Sequence, residues 1–195
     1  IVADALRPLL NYVFFDHQSA VLDTRYVALS PELARQFRVN DLHRAGTMRI
    51  YYHVLNIVGR RLTDHPAATI TLVGCNSNTA EERDNLPLSL LRALAVRRYL
   101  ATVWHIDTAR MRLESRNLPE HPSYPTDSDG IVENRRVEIQ STDWDILAPV
   151  ETEEIVQRFE PDTVHCVIPE SDPGVRSWTI SIRDSSGVVY RKRGN

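Results

Sequence analysis

Ala68-Thr69-Ile70-Thr71-Leu72-Val73-Gly74 runs into Cys75-Asn76-Ser77-Asn78-Thr79-Ala80-Glu81-Glu82-Arg83-Asp84-Asn85, and then into Leu86-Pro87-Leu88-Ser89-Leu90-Leu91-Arg92-Ala93-Leu94-Ala95-Val96-Arg97-Arg98-Tyr99-Leu100. The first segment alternates as a strand does. The second is polar and loop-like. Ser89 then reads as the N-cap of a helix from about Leu90 to Val103. Leu91, Leu94, Ala95 and Tyr99 would line one face of it, with Arg97 and Arg98 outside. A strand, a polar loop and a helix in this order form the centre of a mixed fold.

The flanks extend the pattern. Leu9 to Phe15 is rich in aromatic and branched residues and reads as a strand. Ser30-Pro31-Glu32 starts a short helix to about Phe37, with Ser as N-cap and Pro at the first helical position. A longer helix is expected from about Thr47 to Leu62, where Tyr51, Val54, Leu55, Val58 and Leu62 share one face. His65-Pro66 ends it. Met111 to Ser115 reads as a strand, Leu118 to Asp129 as a Pro-rich loop, and Asn134 to Gln140 as a last strand. The order β-α-α-β-α-β-β predicts an α+β sandwich of helices on a mixed sheet.

The chain has 195 residues, 23 basic and 26 acidic, with 42% hydrophobic residues and a net charge of −3. That balance is that of a folded domain and excludes a disordered tail. No apolar run reaches the roughly 20 residues that span a bilayer. The charge argues against nucleic acid as a partner. Of the basic residues 22 are Arg and one is Lys192, and Arg offers the planar fork of donors that suits carboxylates. The chain begins at Ile1 without an initiator Met, which reads as a fragment or a mature form.

Catalytic and metal signatures are missing. Cys75 and Cys166 lie far apart, so no disulfide is expected, and Cys75 reads as a small buried thiol. His17, His43, His53, His65, His105, His121 and His165 are scattered and form no H-x-x-x-H pair. There is no zinc spacing, no Gly-rich phosphate loop and no nucleophile elbow. Neither an enzyme nor a cofactor is expected.

Charge divides the chain. Residues 1–141 carry net +1 and residues 142–195 net −4. A linker is expected at 142–150, then a short all-β segment at 151–195. In it Thr163 to Ile168 and Trp178 to Arg183 read as strands. Asp184-Ser185-Ser186-Gly187 turns the second into Val188-Val189-Tyr190. Trp178, Ile180 and Ile182 would form one buried face.

Three motifs stand in order. Phe15-Asp16-His17-Gln18-Ser19-Ala20-Val21-Leu22 has the form F-D-x-x-S-x-x-L. Asn85, Leu88, Ser89, Arg92, Ala93, Val96 and Leu100, preceded by Gly74, have the form N-x-x-L-S-x-x-R-A-x-x-V-x-x-x-L. Gly130 followed by Asn134-Arg135-Arg136-Val137-Glu138-Ile139 supplies N-R-R-V-E-I. Over residues 9–141 the chain resembles the OmpA-like domains, with residues 24–48 as an insertion. Trp178, Ile180, Ile182, Asp184 and Gly187 are loosely similar to a truncated Ig-like module.

The resemblance implies a non-catalytic periplasmic domain that tethers an outer-membrane or other envelope protein to peptidoglycan. In such domains an Asp faces the ammonium, and an Arg the carboxylate, of diaminopimelate in the stem peptide. Carried over, Arg92 is the arginine, expected in the first turn of its helix, with Asn85 beside it and Asp16 nearby. Arg135 and Arg136 match the closing pair. They point to opposite faces of a strand, so only one can serve the site. The acid aligns with Ser77, and the glycine that follows it with Ala80. A charge-assisted hydrogen bond is worth roughly 1.5–3 kcal/mol against roughly 0.5–1.5 for a neutral one, so the exchange could cost about tenfold in affinity. Glu81, Glu82 and Asp84 share the loop and are candidate replacements. The alternative is a degenerate domain that serves as a protein–protein scaffold in the envelope.

Overall fold

The computed structural model describes residues 2–155, 177–184 and 187–194, in two compact units, Ile1–Val156 and Gln157–Asn195. The first unit runs β1 (Val2–Arg7), β2 (Tyr12–Phe14), α1 (Pro31–Gln36), α2 (Thr47–Tyr52), α3 (Val54–Asp64), β3 (Ile70–Gly74), α4 (Leu86–Val103), β4 (Met111–Ser115), α5 (Ser128–Glu133), β5 (Arg136–Ser141), α6 (Trp144–Leu147) and β6 (Val150–Ile155). The second contains the hairpin β7 (Trp178–Asp184) and β8 (Gly187–Gly194). Cys166, His165 and the strand expected at 163–168 lie outside the described residues, as do Ser185 and Ser186.

Four strands form a mixed sheet in the order β2-β5-β3-β4. β3 runs parallel to β4 and antiparallel to β5, and β5 is antiparallel to β2. Gly74 pairs with Ser115 and Val137, while Phe14 pairs with Arg136. The loops after β2 and β3 and the entry to β5 therefore open at the same end of the sheet. Val54, Val58 and Leu62 of α3 and Ala93, Val96 and Leu100 of α4 share one core with Leu72 and Ile139 of the sheet. The insertion is tied down by polar contacts. The Tyr26 hydroxyl accepts from Phe14 N at 2.7 Å, Asn56 Nδ2 donates to Val27 O at 2.8 Å, and Leu29 N donates to the Tyr99 hydroxyl at 3.0 Å.

Helix α4 starts four residues earlier than Ser89 predicts. Asn85 is its cap, its side chain accepting from Leu88 N at 3.0 Å, and Pro87 sits in the first turn, where its missing N–H costs nothing. Ser89 lies inside that turn and Arg92 in the second. The buried face is also different: Leu88, Ser89, Arg92, Ala93, Val96 and Leu100 face inward, and Leu91 is exposed. Ala95 and Tyr99 of the expected face do pack against the core, partly buried, but the fully inward side is turned toward Arg92, whose charge a partner elsewhere in the chain compensates.

Gly74 has a packing reason. A Cβ there would overlap the backbone carbonyl of Ser89, so only glycine lets α4 lie this close to the end of β3. Gly74→Ala is expected to lower stability by at least about 1–3 kcal/mol. A urea midpoint checks this, with Gly46→Ala as control, because a Cβ at Gly46 meets nothing within 4 Å.

Three other expectations need correction. The helix expected from Thr47 to Leu62 divides at His53, whose N–H bonds to Ile50 O at 3.0 Å and whose ring stacks on Phe37 at 5.5 Å. Residues 142–150 are packed and do not form a linker: Ile146 is fully buried and Val150 opens β6, which pairs antiparallel with β1 from Val2↔Ile155 to Arg7↔Val150. The charge of Glu151 and Glu153 hid a strand whose Val150 and Thr152 face inward. In the hairpin Ile182 is 49% exposed, so its alternating face is not buried within the described residues.

Candidate binding site

Arg92 is fully buried at the open end of the sheet, and all five of its N–H donors are engaged. Nε donates to Ser19 O at 2.8 Å. Nη1 donates to Cys75 O at 3.0 Å and to Glu82 Oε2 at 3.4 Å. Nη2 donates to Asp16 O at 3.0 Å and to Glu82 Oε1 at 2.6 Å. The guanidinium also lies 5.8 Å from the Phe15 ring centroid. Helix α4 supplies the side chain, and the loops after β2 and β3 supply the carbonyls.

Glu82 is the counterpart, with a fully buried side chain. Its Oε1 accepts from Gln18 N at 2.8 Å, and its Oε2 accepts from Ser77 N and Ser77 Oγ, both at 3.0 Å. Burial alone would raise its pKa. The hydrogen bonds from Arg92, Ser77 and Gln18, with the charge of Arg92, outweigh burial and hold it at about 2. Glu82 is therefore ionised throughout the physiological range.

The 76–85 loop is shaped around this carboxylate. Asn76 Nδ2 reaches Asn85 O, Ser89 Oγ and Asn117 Oδ1 at 3.0–3.1 Å, closing the base of the loop. Asn78, Ala80 and Asp84 have φ of 51°, 47° and 53°, and Gln18 has 53°. Asn and Asp tolerate this left-handed region, whereas Ala80 takes it at a cost of about 1–2 kcal/mol. The glycine that the resemblance places at Ala80 would adopt this conformation without strain.

The predicted site residues divide. Ser77 reaches the centre, where its hydroxyl donates to Glu82. A carboxylate at position 77 would face a second one. Arg135 reaches the rim: its Nε lies 3.5 Å from Glu82 Oε2, is buried, and makes no hydrogen bond. Asp16 contributes its backbone carbonyl, while its side chain is exposed and lies 4.0 Å from Arg25. Asn85 caps α4. Arg136 points elsewhere, bonding to Glu138, Glu133 O and His121 O and lying 4.5 Å from the Tyr12 ring centroid. Sequence reasoning missed Gln18 and Asn76, and it named Glu82 only as one acid among three. Glu81 instead pairs with His17 at 3.3 Å and Asp84 accepts from Asn117 Nδ2 at 3.2 Å, both at the surface.

Two other groups carry potential chemistry. The Cys75 thiol is buried and pushed up to about 12 by burial and by the charge of Glu138, which makes it inert as a nucleophile. His65 Nδ1 lies 3.8 Å from Asp143 Oδ2 and 3.7 Å from Asp145 Oδ2, a partly exposed trio at the surface.

The chain is similar to several solved structures. The peptidoglycan-associated lipoprotein from Burkholderia pseudomallei shares 23% identity over 68% of this chain and 90% of that one, with a TM-score of 0.46. The C-terminal domain of Helicobacter pylori MotB shares 15% identity over 71% and 89%, with a TM-score of 0.49. The cell wall anchor of the T6SS from Pseudomonas aeruginosa shares 19% identity over 70% and 85%, with a TM-score of 0.42. No family model and no curated protein sequence matches the chain. No helix among the described residues is long and apolar enough to cross a membrane.

Proposed function

We propose that this chain carries a non-catalytic, OmpA-like, peptidoglycan-associated domain of the cell envelope, periplasmic in location, which reads a carboxylate of the diaminopimelate stem peptide. The observation that carries the reading is convergence. Three motifs far apart in sequence meet at one carboxylate: Asp16 and Ser19 of the first through backbone carbonyls on Arg92, Arg92 of the second, and Arg135 of the third. Arginine forks around a carboxylate position are the chemistry such a ligand requires. Isolated sacculi should retain the full chain in a pull-down, and Arg92→Met should release it. Wild type left wholly in the supernatant would refute wall binding.

A second reading, a degenerate domain acting as a protein scaffold, is favoured by the same centre. Ser77 stands where the acid is expected and the arginine is already occupied by Glu82. Under that reading the chain binds envelope proteins and ignores diaminopimelate.

A further inference from the structure

The Arg92 site is full as folded. Every N–H of the guanidinium has an acceptor within the chain, so an outside carboxylate finds no open donor on Arg92. The carboxylate that fills it comes from the least regular part of the site. Glu82 ends a single 3-10 turn, Ala80–Glu82, in a loop with three left-handed non-glycine residues. The guanidinium itself is held independently, by the carbonyls of Ser19, Cys75 and Asp16, which would keep it in place if Glu82 left. Two further basic groups stand at the rim: Arg135, whose Nε makes no hydrogen bond, and half-exposed His17, 3.8 Å from Glu82 Oε1.

We propose that Glu82 is a built-in stand-in for the ligand carboxylate: the domain folds closed, and an incoming carboxylate binds by displacing Glu82 from Arg92 as the 76–85 loop swings outward. The inference rests on the wall-binding reading for the identity of the ligand, though not for the exchange itself. In a closed-to-open equilibrium the apparent affinity is the intrinsic one reduced by the open fraction. Arg92 is then preorganised and only the loop moves. Removing the internal carboxylate should release the masked affinity.

The full chain would be titrated with a diaminopimelate-containing muropeptide as wild type, Glu82→Gln and Glu82→Ala. Glu82→Ala is expected to bind at least about tenfold tighter than wild type, with the isosteric Glu82→Gln between them. Equal affinity in all three would overturn the exchange. Acetate provides an arm that needs no wall ligand. About 0.1 M sodium acetate, against the same concentration of chloride, should raise the Tm of Glu82→Ala by several degrees, or refold it if it is unfolded. It should move neither wild type nor Arg92→Met/Glu82→Ala. No acetate-specific effect on Glu82→Ala would overturn the role of Glu82. Acetate rescue without muropeptide binding by any form would overturn the wall-binding reading and leave that role standing.

Discussion

Arg92→Met is expected to cost about 3–5 kcal/mol of folding stability, the range for removing one member of a buried ion pair. The loss exceeds that of an exposed pair because Glu82 returns to water only if the 76–85 loop opens and gives up the donors from Ser77 and Gln18. Buried in the closed fold, Glu82 would keep only the donors from Ser77 and Gln18. The carbonyls of Ser19, Cys75 and Asp16 would lose their Arg92 donors as well. Methionine fills much of the volume, so the measurement reports charge and hydrogen bonding more than a cavity. Urea unfolding followed by helical circular dichroism reads the first unit, where all helices among the described residues lie. Removing both groups in Arg92→Met/Glu82→Gln should recover about 2–3 kcal/mol of the summed single losses, as coupled neighbours do. A loss below about 1 kcal/mol for Arg92→Met would place the pair among exposed ones and refute its burial.

Acid should unfold the domain through the same pair. Glu82 is held at about 2 in the folded chain, whereas an ordinary glutamate titrates near about 4.3. A carboxylate with a lowered folded pKa adds stability that is complete above its unfolded pKa and disappears as pH falls through the folded one. The shift corresponds to about 3 kcal/mol, present above about pH 5 and lost between about pH 4.5 and pH 2. Glu82→Gln should lack this slope. His53 contributes in a different window: burial, and then the charge of Arg49, lower its pKa, so its contribution declines as pH falls below about 6.5. The difference between wild-type and Glu82→Gln stability across pH therefore isolates Glu82. A difference that stays constant from pH 6 to about pH 2.5 would contradict the depressed pKa.

Local signals in the sequence were legible where the physics is local. Ser30-Pro31 starts α1 as capping chemistry predicts, with Ser30 Oγ accepting from Leu33 N at 3.3 Å. Met111–Ser115 is a strand over the expected residues. Errors arose where long-range partners override local preference. Asn85 displaced Ser89 as cap because Ser89 Oγ is used by Asn76 Nδ2 from the neighbouring loop. β1 went unread because its partner β6 lies at the other end of the first unit and carries Glu151, Glu153 and Glu154 on one short strand.

The sequence by itself pointed to the helix-on-sheet class and the chain order of its central elements, and the resemblance offered Arg92 with one of Arg135 and Arg136 as candidate arginines. Periodicity, caps and the three ordered motifs depend on residues close together in the chain. Only the tertiary structure decided what Arg92 faces. Glu81, Glu82 and Asp84 are equivalent acids on paper, yet Glu82 alone is turned inward, by a loop whose left-handed residues and Asn76 contacts set its direction. A buried charge is stable only with its partner and the full set of hydrogen bonds around both. That set draws on segments around Asp16, Ser77, Arg92 and Arg135, which meet only when the sheet brings their ends together.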